Sequence, residues 1–141
     1  MLQTKRIPWM LNRDELIDLV EKRYFNAMDQ GRLDEPLACL SPDCVWRVYP
    51  AGAVLNGRDG EIRDAFADAI AHYKSMWHGN FEWTIDEAAQ RVAASFDVRL
   101  IDKAGKETKL KNVKLFQVEE RRFTHLALYF STTEIIVSKP N

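Results

Sequence analysis

The N-terminal part of the chain carries a helical pattern of apolar and polar residues over about residues 13–30. Asn12 is a suitable N-cap, and Glu15 stands where a capping box places its carboxylate. Gly31 follows in the position where glycine commonly ends a helix. We therefore predict an amphipathic helix whose apolar face consists of Leu16, Ile17, Val20, Tyr24, Ala27 and Met28.

A second helical pattern follows a stretch of mixed structure. Residues 35–40 suggest a helical turn, residues 44–49 suggest a strand that ends at Pro50, and residues 51–57 suggest a loop. Helical spacing returns from about residue 59 to residue 77, and Gly79 is the predicted end of that helix. Its apolar positions are Ile62, Phe66, Ala69, Ile70, Tyr73, Met76 and Trp77.

Beyond Gly79 the pattern changes to the alternation that is typical of β-strands. Strands are predicted over residues 81–86, 90–101, 110–118 and 123–133, with turns at residues 103–106 and 119–122. Early helices followed by a run of strands indicate an α+β fold. We predict a cone-shaped, strongly curved antiparallel or mixed sheet wrapped around the N-terminal helices, as in a cystatin-like α+β barrel, because two helices cannot cover a flat sheet of this size.

Length and composition fit a single domain. The 141 residues, of which 46% are hydrophobic and 29% charged, are typical of one globular unit with its own core. We expect a domain over residues 1–141 with a core at about 13–134 and flexible tails. The net charge of −1 gives no attraction for nucleic acid or membrane, and no apolar run approaches the ~20 residues that span a bilayer.

Neither the cysteines nor the N-terminus indicates secretion, so the cytoplasm is the default expectation. Cys39 and Cys44 do not form a secreted disulfide framework, and without nearby histidines they do not form a metal site, so we expect buried thiols. The first residues lack the apolar run of a signal peptide. Five lysines crowd residues 103–114, which favours a solvated edge strand protected by lysine, with an anion-binding patch as the alternative.

Four segments resemble a known superfamily: residues 23–33 (RYFNAMDQGRL), 56–59 (NGRD), 112–116 (NVKLF) and 128–131 (LYFS). The chain resembles, over about residues 13–134, the nuclear transport factor 2-like superfamily, which includes SnoaL-like polyketide cyclases, scytalone dehydratase and ketosteroid isomerase. The resemblance implies a cone with a small-molecule pocket and a homodimer formed across the sheets. It implies no single activity, because this fold serves many enzymes and many non-enzymes.

Comparison with ketosteroid isomerase assigns candidate catalytic positions. The resemblance implies an oxyanion-donating tyrosine at Tyr24 and places Asn112 where that family has an aspartate kept protonated by its apolar site. The base position falls on Val48 or Tyr49, and the two supporting tyrosines fall on Leu40 and Phe66. None of these is a base, so steroid isomerisation by that mechanism is not expected.

Tyr24 and Asn112 would nevertheless give two neutral donors for a carbonyl oxygen or oxyanion in one apolar cavity. The alternatives are that the Tyr24 hydroxyl bonds a backbone carbonyl and that Asn112 is an exposed strand residue. Two weaker candidates for a base are Asp86, which would otherwise cap a turn, and His78, which would otherwise complement a helix dipole.

The remaining ionisable candidates, His72, His125 and Arg47, are expected to face solvent or an interface. No metal-ligand cluster, nucleophile motif or phosphate loop occurs in the sequence, and we expect neither a metal nor a cofactor.

The predicted pocket is apolar and suits a small hydrophobic molecule. Its predicted lining, besides Tyr24, is Ile17, Val20, Trp46, Val48, Phe66, Ile70, Phe96, Val98, Leu126, Leu128 and Phe130. The alternative is that these side chains fill the interior as core. Phe25, Trp83 and Tyr129 fall outside the set, which suggests a homodimer through the outer sheet face.

Three functions follow from this pattern. The first is a cofactor-independent isomerase, cyclase or dehydratase that uses oxyanion or acid–base chemistry on a hydrophobic molecule. The second is a non-catalytic ligand-binding protein on the same fold, and the third is a dimerisation module with a filled interior. A void beside Tyr24 would argue against the third, and an inward-facing base would favour the first over the second.

Overall fold

The computed structural model describes residues 7–132. Of the predicted tails, residues 1–6 and 135–141 lie outside the described residues. Residues 7–12 are described, and Leu11 is buried in the core with its backbone hydrogen-bonded to the Gln90 side chain. The last strand ends at Tyr129, so its predicted extension to residue 133 was wrong for residues 130–132, and residue 133 lies outside the described residues.

The first helix forms as its apolar pattern and cap predict. It runs through three consecutive segments, Arg13–Asp18, the π-helical Leu19–Asn26, and Ala27–Asp29. Asn12 Oδ1 accepts from the Glu15 amide at 2.9 Å, and Glu15 Oε1 accepts from the Asn12 amide at 3.0 Å, which completes the capping box. Gly31 takes the left-handed conformation (φ 71°) in which glycine is favoured. The predicted apolar face is buried apart from the half-buried Ile17.

The second long helix is shorter than predicted. It comprises Gly57–Ile62, which is kinked at Gly60, and Arg63–His72. Tyr73 is already extended (φ −97°, ψ 135°) and begins strand β3, Tyr73–Asp86. The helix prediction for residues 73–77 was wrong because pairing with a long neighbouring strand outweighs the helical spacing. Gly79 therefore lies inside β3, where the Trp77 ring covers it and leaves no room for a Cβ.

The segment between the helices holds more strand than predicted. A short helix, Asp34–Ala38, leads into β1, Leu40–Tyr49, which begins four residues before the predicted start. Residues 53–56, predicted as loop, form β2, Ala53–Asn56, which pairs antiparallel with β1. A turn after Pro50 brings β2 back onto β1, so the two strands form a hairpin.

The sheet has six strands in the order β2-β1-β6-β5-β4-β3, where β4 is Arg91–Asp102, β5 is Glu107–Glu119 and β6 is Arg122–Tyr129. All neighbours are antiparallel except β1 and β6, which run parallel. This confirms the α+β fold with a mixed sheet and N-terminal helices. The sheet is open, with β2 and β3 at its edges, so it is not a closed barrel.

The lysine-rich strand is not an edge strand. β5 lies between β4 and β6, so lysine there does not protect a free edge. Lys109 and Lys111 are exposed and pair with Glu107 and Asp97. Lys114 points the other way and is 3% exposed, inside the fold. The edge-strand prediction was therefore wrong. It treated all five lysines as solvated, whereas Lys114 is buried.

Candidate active site

A cavity of about 850 Å³ lies between the helices and the inner face of the sheet. This is within the usual size of a small-molecule site. The exposed residues Asp68, Ala71 and His72 mark its mouth. Its wall consists mainly of apolar and aromatic side chains, among them Met28, Trp46, Phe66, Met76, Phe96, Val98, Leu100, Leu128 and Phe130.

The predicted lining is divided between cavity and core. Trp46, Phe66, Phe96, Val98, Leu128 and Phe130 line the cavity with Tyr24 and Asn112. Ile17, Val20, Val48, Ile70 and Leu126 are not in its wall. Of these, Val20, Val48 and Leu126 are fully buried core residues, and Ile70 packs against the core.

The outer-face assignment was wrong for two aromatic residues. Phe25 lines the cavity and packs against Phe96 and Phe81 at centroid distances of 4.8 and 5.3 Å. Trp83 stacks on Phe81 and packs against the core. Tyr129 is exposed as predicted and stacks on Tyr49.

Lys114 is a polar group of the cavity that the sequence interpretation missed. Its Nζ donates to the Tyr24 hydroxyl oxygen at 2.5 Å. It forms no ion pair with any carboxylate of residues 7–132, and its neighbours across the sheet are Ala94 and Leu128. Because burial removes water from the ammonium group, it lowers the pKa of Lys114 to about 7, against a smaller opposing effect of Cys44.

Tyr24 is held rigidly by other aromatic rings. It is 2% exposed and makes edge contacts with Phe25, Phe66, Phe116 and Phe123 at 5.0 to 5.9 Å. Its hydroxyl bonds Lys114 and not a backbone carbonyl. Since Lys114 donates to that oxygen, the Tyr24 proton is available to a ligand. Burial raises the pKa of Tyr24 well above its ordinary value, so the hydroxyl stays protonated.

Asn112 is buried in the cavity wall, two residues from Lys114 on the same face of β5. This rules out the alternative of an exposed strand residue. Asn112 Oδ1 accepts from the Ser131 amide at 3.2 Å, which fixes the side-chain amide with its NH₂ group as the remaining donor. Trp46 Nε1 is another buried donor of the cavity wall, with no hydrogen-bond partner among the described residues.

His78 forms a pair with Asp29 across 49 residues of sequence. Its Nδ1 lies 2.6 Å from Asp29 Oδ1, and its backbone amide donates to Asp29 Oδ2 at 2.8 Å. Both side chains are 13% exposed. Phe25 and Phe96 pack against the imidazole ring at 4.8 and 5.6 Å. Asp29 thereby sets the orientation of His78, whose Nε2 has no hydrogen-bond partner within residues 7–132, and His78 lines the cavity.

This pair corrects the helix-dipole interpretation of His78. The residue lies within β3, not at a helix end, because the preceding helix stops at His72. Asp29 closes the first helix, and its partner could be found only from the tertiary structure. The one sequence signal was the polar type of both residues beside apolar ones, Met28 before Asp29 and Trp77 before His78, and that signal is weak.

The other candidates lie outside the site or at its rim. Asp86 Oδ1 caps a turn by accepting from the Ala89 amide at 3.0 Å. Arg47 and His125 are exposed, as predicted, and His72 is exposed at the mouth. Cys39 and Cys44 are buried free thiols, and burial raises their pKa values to about 11 and about 12.

Within residues 7–132, no helix combines the length and the apolar character needed to cross a bilayer. In the same part of the chain, no three His, Cys, Asp or Glu side chains come together in a way that would hold a metal ion.

Comparison with known proteins places this architecture in a family. No curated protein sequence matches the chain. Among solved structures, a proposed polyketide cyclase from Xanthomonas campestris pv. campestris is 22% identical with a TM-score of 0.75, covering 86% of this chain and 93% of its own. BvnE pinacolase from Penicillium brevicompactum is 18% identical with a TM-score of 0.72, covering 84% and 87%.

A Catenulispora acidiphila protein with a ketosteroid isomerase-like fold, solved with trimethylamine, is 14% identical with a TM-score of 0.72, covering 82% of this chain and 87% of its own. At these identities the structures establish the fold alone. Residues 22–126 match the SnoaL-like domain family. The chain therefore belongs to the SnoaL-like domain family, within the nuclear transport factor 2-like superfamily.

Proposed function

We propose that the protein is a cofactor-independent isomerase, cyclase or dehydratase that acts on a small hydrophobic carbonyl compound. The observation that carries the proposal is one apolar cavity lined both by His78, oriented by Asp29, and by the donors Tyr24 and Asn112. The base that ketosteroid isomerase has at the positions of Val48 or Tyr49 is absent, and His78 supplies an alternative from β3.

The proposed reaction begins with proton abstraction beside the carbonyl group. His78 Nε2 takes a proton from the adjacent carbon, and the electron pair of that C–H bond forms an enolate whose charge rests on oxygen. The Tyr24 hydroxyl and the Asn112 amide donate to that oxygen. The protonated His78 can return the proton to a carbon conjugated with the enolate, which gives an isomer. It can instead give the proton to a β-hydroxyl group, which leaves as water while the enolate electrons form a C=C bond, and this gives a dehydrated product. Every proton transfer uses a side chain of the cavity, so the scheme needs no cofactor.

The cavity wall also suggests the class of ligand. Aromatic and aliphatic side chains provide most of its surface, and apart from Asp68 and His72 at the mouth, the few polar groups are donors or His78. Such a wall favours a compact ring system with one or two oxygen atoms. The void beside Tyr24 argues against a dimerisation module with a filled interior.

Exchange of carbon-bound hydrogen tests the base directly. β-Tetralone, a hydrophobic ketone with acidic hydrogens, is incubated with the protein in deuterated water and followed by NMR. We expect catalysed exchange in the wild type and a loss on the order of 10²- to 10⁴-fold in His78→Gln. His125→Gln, an exposed histidine on β6, is the matched control and should exchange at the wild-type rate.

Equal exchange by His78→Gln and the wild type would overturn the role of His78. Binding of the ketone by calorimetry with exchange no faster than in buffer would favour the non-catalytic ligand-binding function instead.

We also propose a homodimer through the outer sheet face. Four large apolar residues are exposed there, Trp77, Val113, Leu115 and Tyr129, at 37 to 44%. Val113 and Tyr129 are direct neighbours on β5 and β6, so the patch crosses adjacent strands. Pairing of two such faces would remove them from water.

The two buried free thiols suit a reducing compartment, and we propose the cytoplasm.

A further inference from the structure

Lys114 has surroundings that suit a nucleophile. Its Nζ lies 4.5 Å from the Tyr24 ring centroid, 5.0 Å from Trp46, 5.7 Å from Phe116 and 5.8 Å from Phe25. These rings surround the amine on several sides, and no carboxylate of residues 7–132 forms an ion pair with it. A buried ammonium group without a counter-ion is costly, so the neutral amine is favoured.

The amine also faces the cavity, which gives a ligand access to it. Lys114 is part of the cavity wall together with Tyr24, Trp46 and Phe25. Burial lowers its pKa to about 7, so about half of the molecules carry a neutral amine at neutral pH. For a lysine of ordinary pKa, about 10.4, the fraction of neutral amine at neutral pH is on the order of 10³-fold smaller. Desolvated lysines activated in this way attack carbonyl groups in other proteins.

We propose that Lys114 forms a Schiff base with a small hydrophobic aldehyde or ketone bound in the cavity. This deepens the proposed function, and rests on it for the class of ligand, because the same carbonyl group becomes the point of attachment.

The reaction balances with water as the only other product. The Nζ lone pair attacks the carbonyl carbon, and the electrons of the C=O double bond move to oxygen, which takes a proton to form a carbinolamine. Tyr24, hydrogen-bonded to Nζ, is placed to pass that proton from nitrogen to oxygen. Protonation of the hydroxyl group releases water and leaves a C=N bond, with no change of oxidation state.

The iminium form would strengthen the chemistry of His78. A positively charged C=N group withdraws electrons more strongly than a neutral carbonyl, so it acidifies the adjacent C–H bond. His78 lines the same cavity and presents its free Nε2. The proposal therefore selects aldehydes and ketones over acids, esters and alcohols.

Reductive trapping tests the Schiff base without requiring turnover. β-Naphthaldehyde is the probe, because it has no hydrogen on the carbon beside its carbonyl group and cannot undergo the exchange proposed for His78. Borohydride reduction should add to the intact protein the mass of the aldehyde less one oxygen atom. Peptide mapping should place the adduct on Lys114.

Matched variants separate the two proposals. Lys114→Met should lose the adduct, and Lys111→Met, the exposed lysine three residues earlier, should keep it. His78→Gln should also keep it, so failure of the base leaves this result unaffected. Circular dichroism establishes that each variant is folded.

The relative labelling rates of Lys114 and Lys111 in the wild type also test the proposal. At neutral pH and limiting aldehyde, we expect Lys114 to be labelled at least about ten times faster than Lys111. This rate ratio is a conservative expectation, because it is much smaller than the ratio of the two lysines' neutral-amine fractions. Labelling confined to exposed lysines, or equal labelling of wild type and Lys114→Met, would overturn the proposal.

Discussion

Replacing Lys114 by methionine should stabilise the protein at neutral pH, and the gain should vanish as the pH rises. The native pKa of Lys114 is lowered to about 7 from an ordinary value of 10.5. Between these values the unfolded chain binds a proton that the native protein does not, so the free energy of unfolding of the wild type rises with pH. Below about pH 7 both states are protonated and the full cost of the buried charge is present.

The magnitude follows from the difference in pKa. Each pH unit in the window changes the free energy of unfolding by about 1.4 kcal/mol, and the whole window corresponds to about 5 kcal/mol. Methionine cannot titrate, so the advantage of Lys114→Met should fall by about 3 kcal/mol between pH values of about 6 and about 9.5. Loss of the bond to Tyr24 subtracts about 1 kcal/mol at every pH and leaves the slope unchanged.

Urea denaturation of both proteins across this pH range measures the effect. The raised thiol pKa values of Cys39 and Cys44 affect both proteins, so they largely cancel in the difference. Lys111→Met is the control. Because that lysine is exposed, the free energy of unfolding of this variant should stay within about 0.5 kcal/mol of the wild-type value at all pH values. Parallel stability curves for the wild type and Lys114→Met would refute the reasoning, because they would mean that Lys114 titrates alike in both states.

Two further predictions concern the ligand and the outer face. Tyr24→Phe should weaken the binding of β-tetralone by ~1 kcal/mol while the fold stays intact, because one donor to the carbonyl oxygen is lost; unchanged affinity in calorimetry would reduce Tyr24 to a packing role. Leu115→Lys should convert a dimer into a monomer in light scattering, because it places a charge within the apolar outer patch; Lys109→Glu, on the same face of β5, is the control, and a wild type that is already monomeric would contradict the proposed interface.

Long periodic segments with clear ends could be predicted from the sequence. The first helix has both a capping box and a continuous apolar face, so local signals and tertiary packing agree. The strands after residue 90 alternate regularly and lie close to their predicted bounds, except that β6 ends at Tyr129 and not at residue 133. The end of the second helix could not be predicted in this way. Tyr73, Met76 and Trp77 fit helical spacing, but tyrosine and tryptophan also favour strands, and β4 offers a partner for each of the three residues.

The site could be predicted only in part, since its polar pairs are made by the tertiary structure. Tyr24 and Asn112 were found through resemblance, and both line the cavity. Asp29 and His78 lie on different elements, and nothing local links them. Lys114 did have a local signal, because it alternates with the inward-facing Asn112 and Phe116. The opposite face of β5 mixes lysine with valine and leucine, so the sequence alone does not show which face of the strand points into the fold.

The cavity of this protein differs from an ordinary core in its polar groups. A core that served packing alone would pair each buried donor or replace it with an apolar side chain. Here Trp46 Nε1 is a buried donor without a partner among the described residues, and Lys114 imposes a cost that methionine would remove. Such a cost is expected where function and stability oppose each other.

The variant Lys114→Met distinguishes function from accident because two measurements on it should move in opposite directions. Stability at neutral pH should increase, since a desolvated ammonium group is removed, while trapping of an aldehyde at this position should disappear. A lysine with only a structural role would give a different pair of results. Its replacement would lower stability, because the bond to Tyr24 is lost, and the aldehyde would label only surface lysines in both the wild type and the variant. The combination of higher stability and lost reactivity is therefore the signature of an amine that is retained in the cavity for its chemistry.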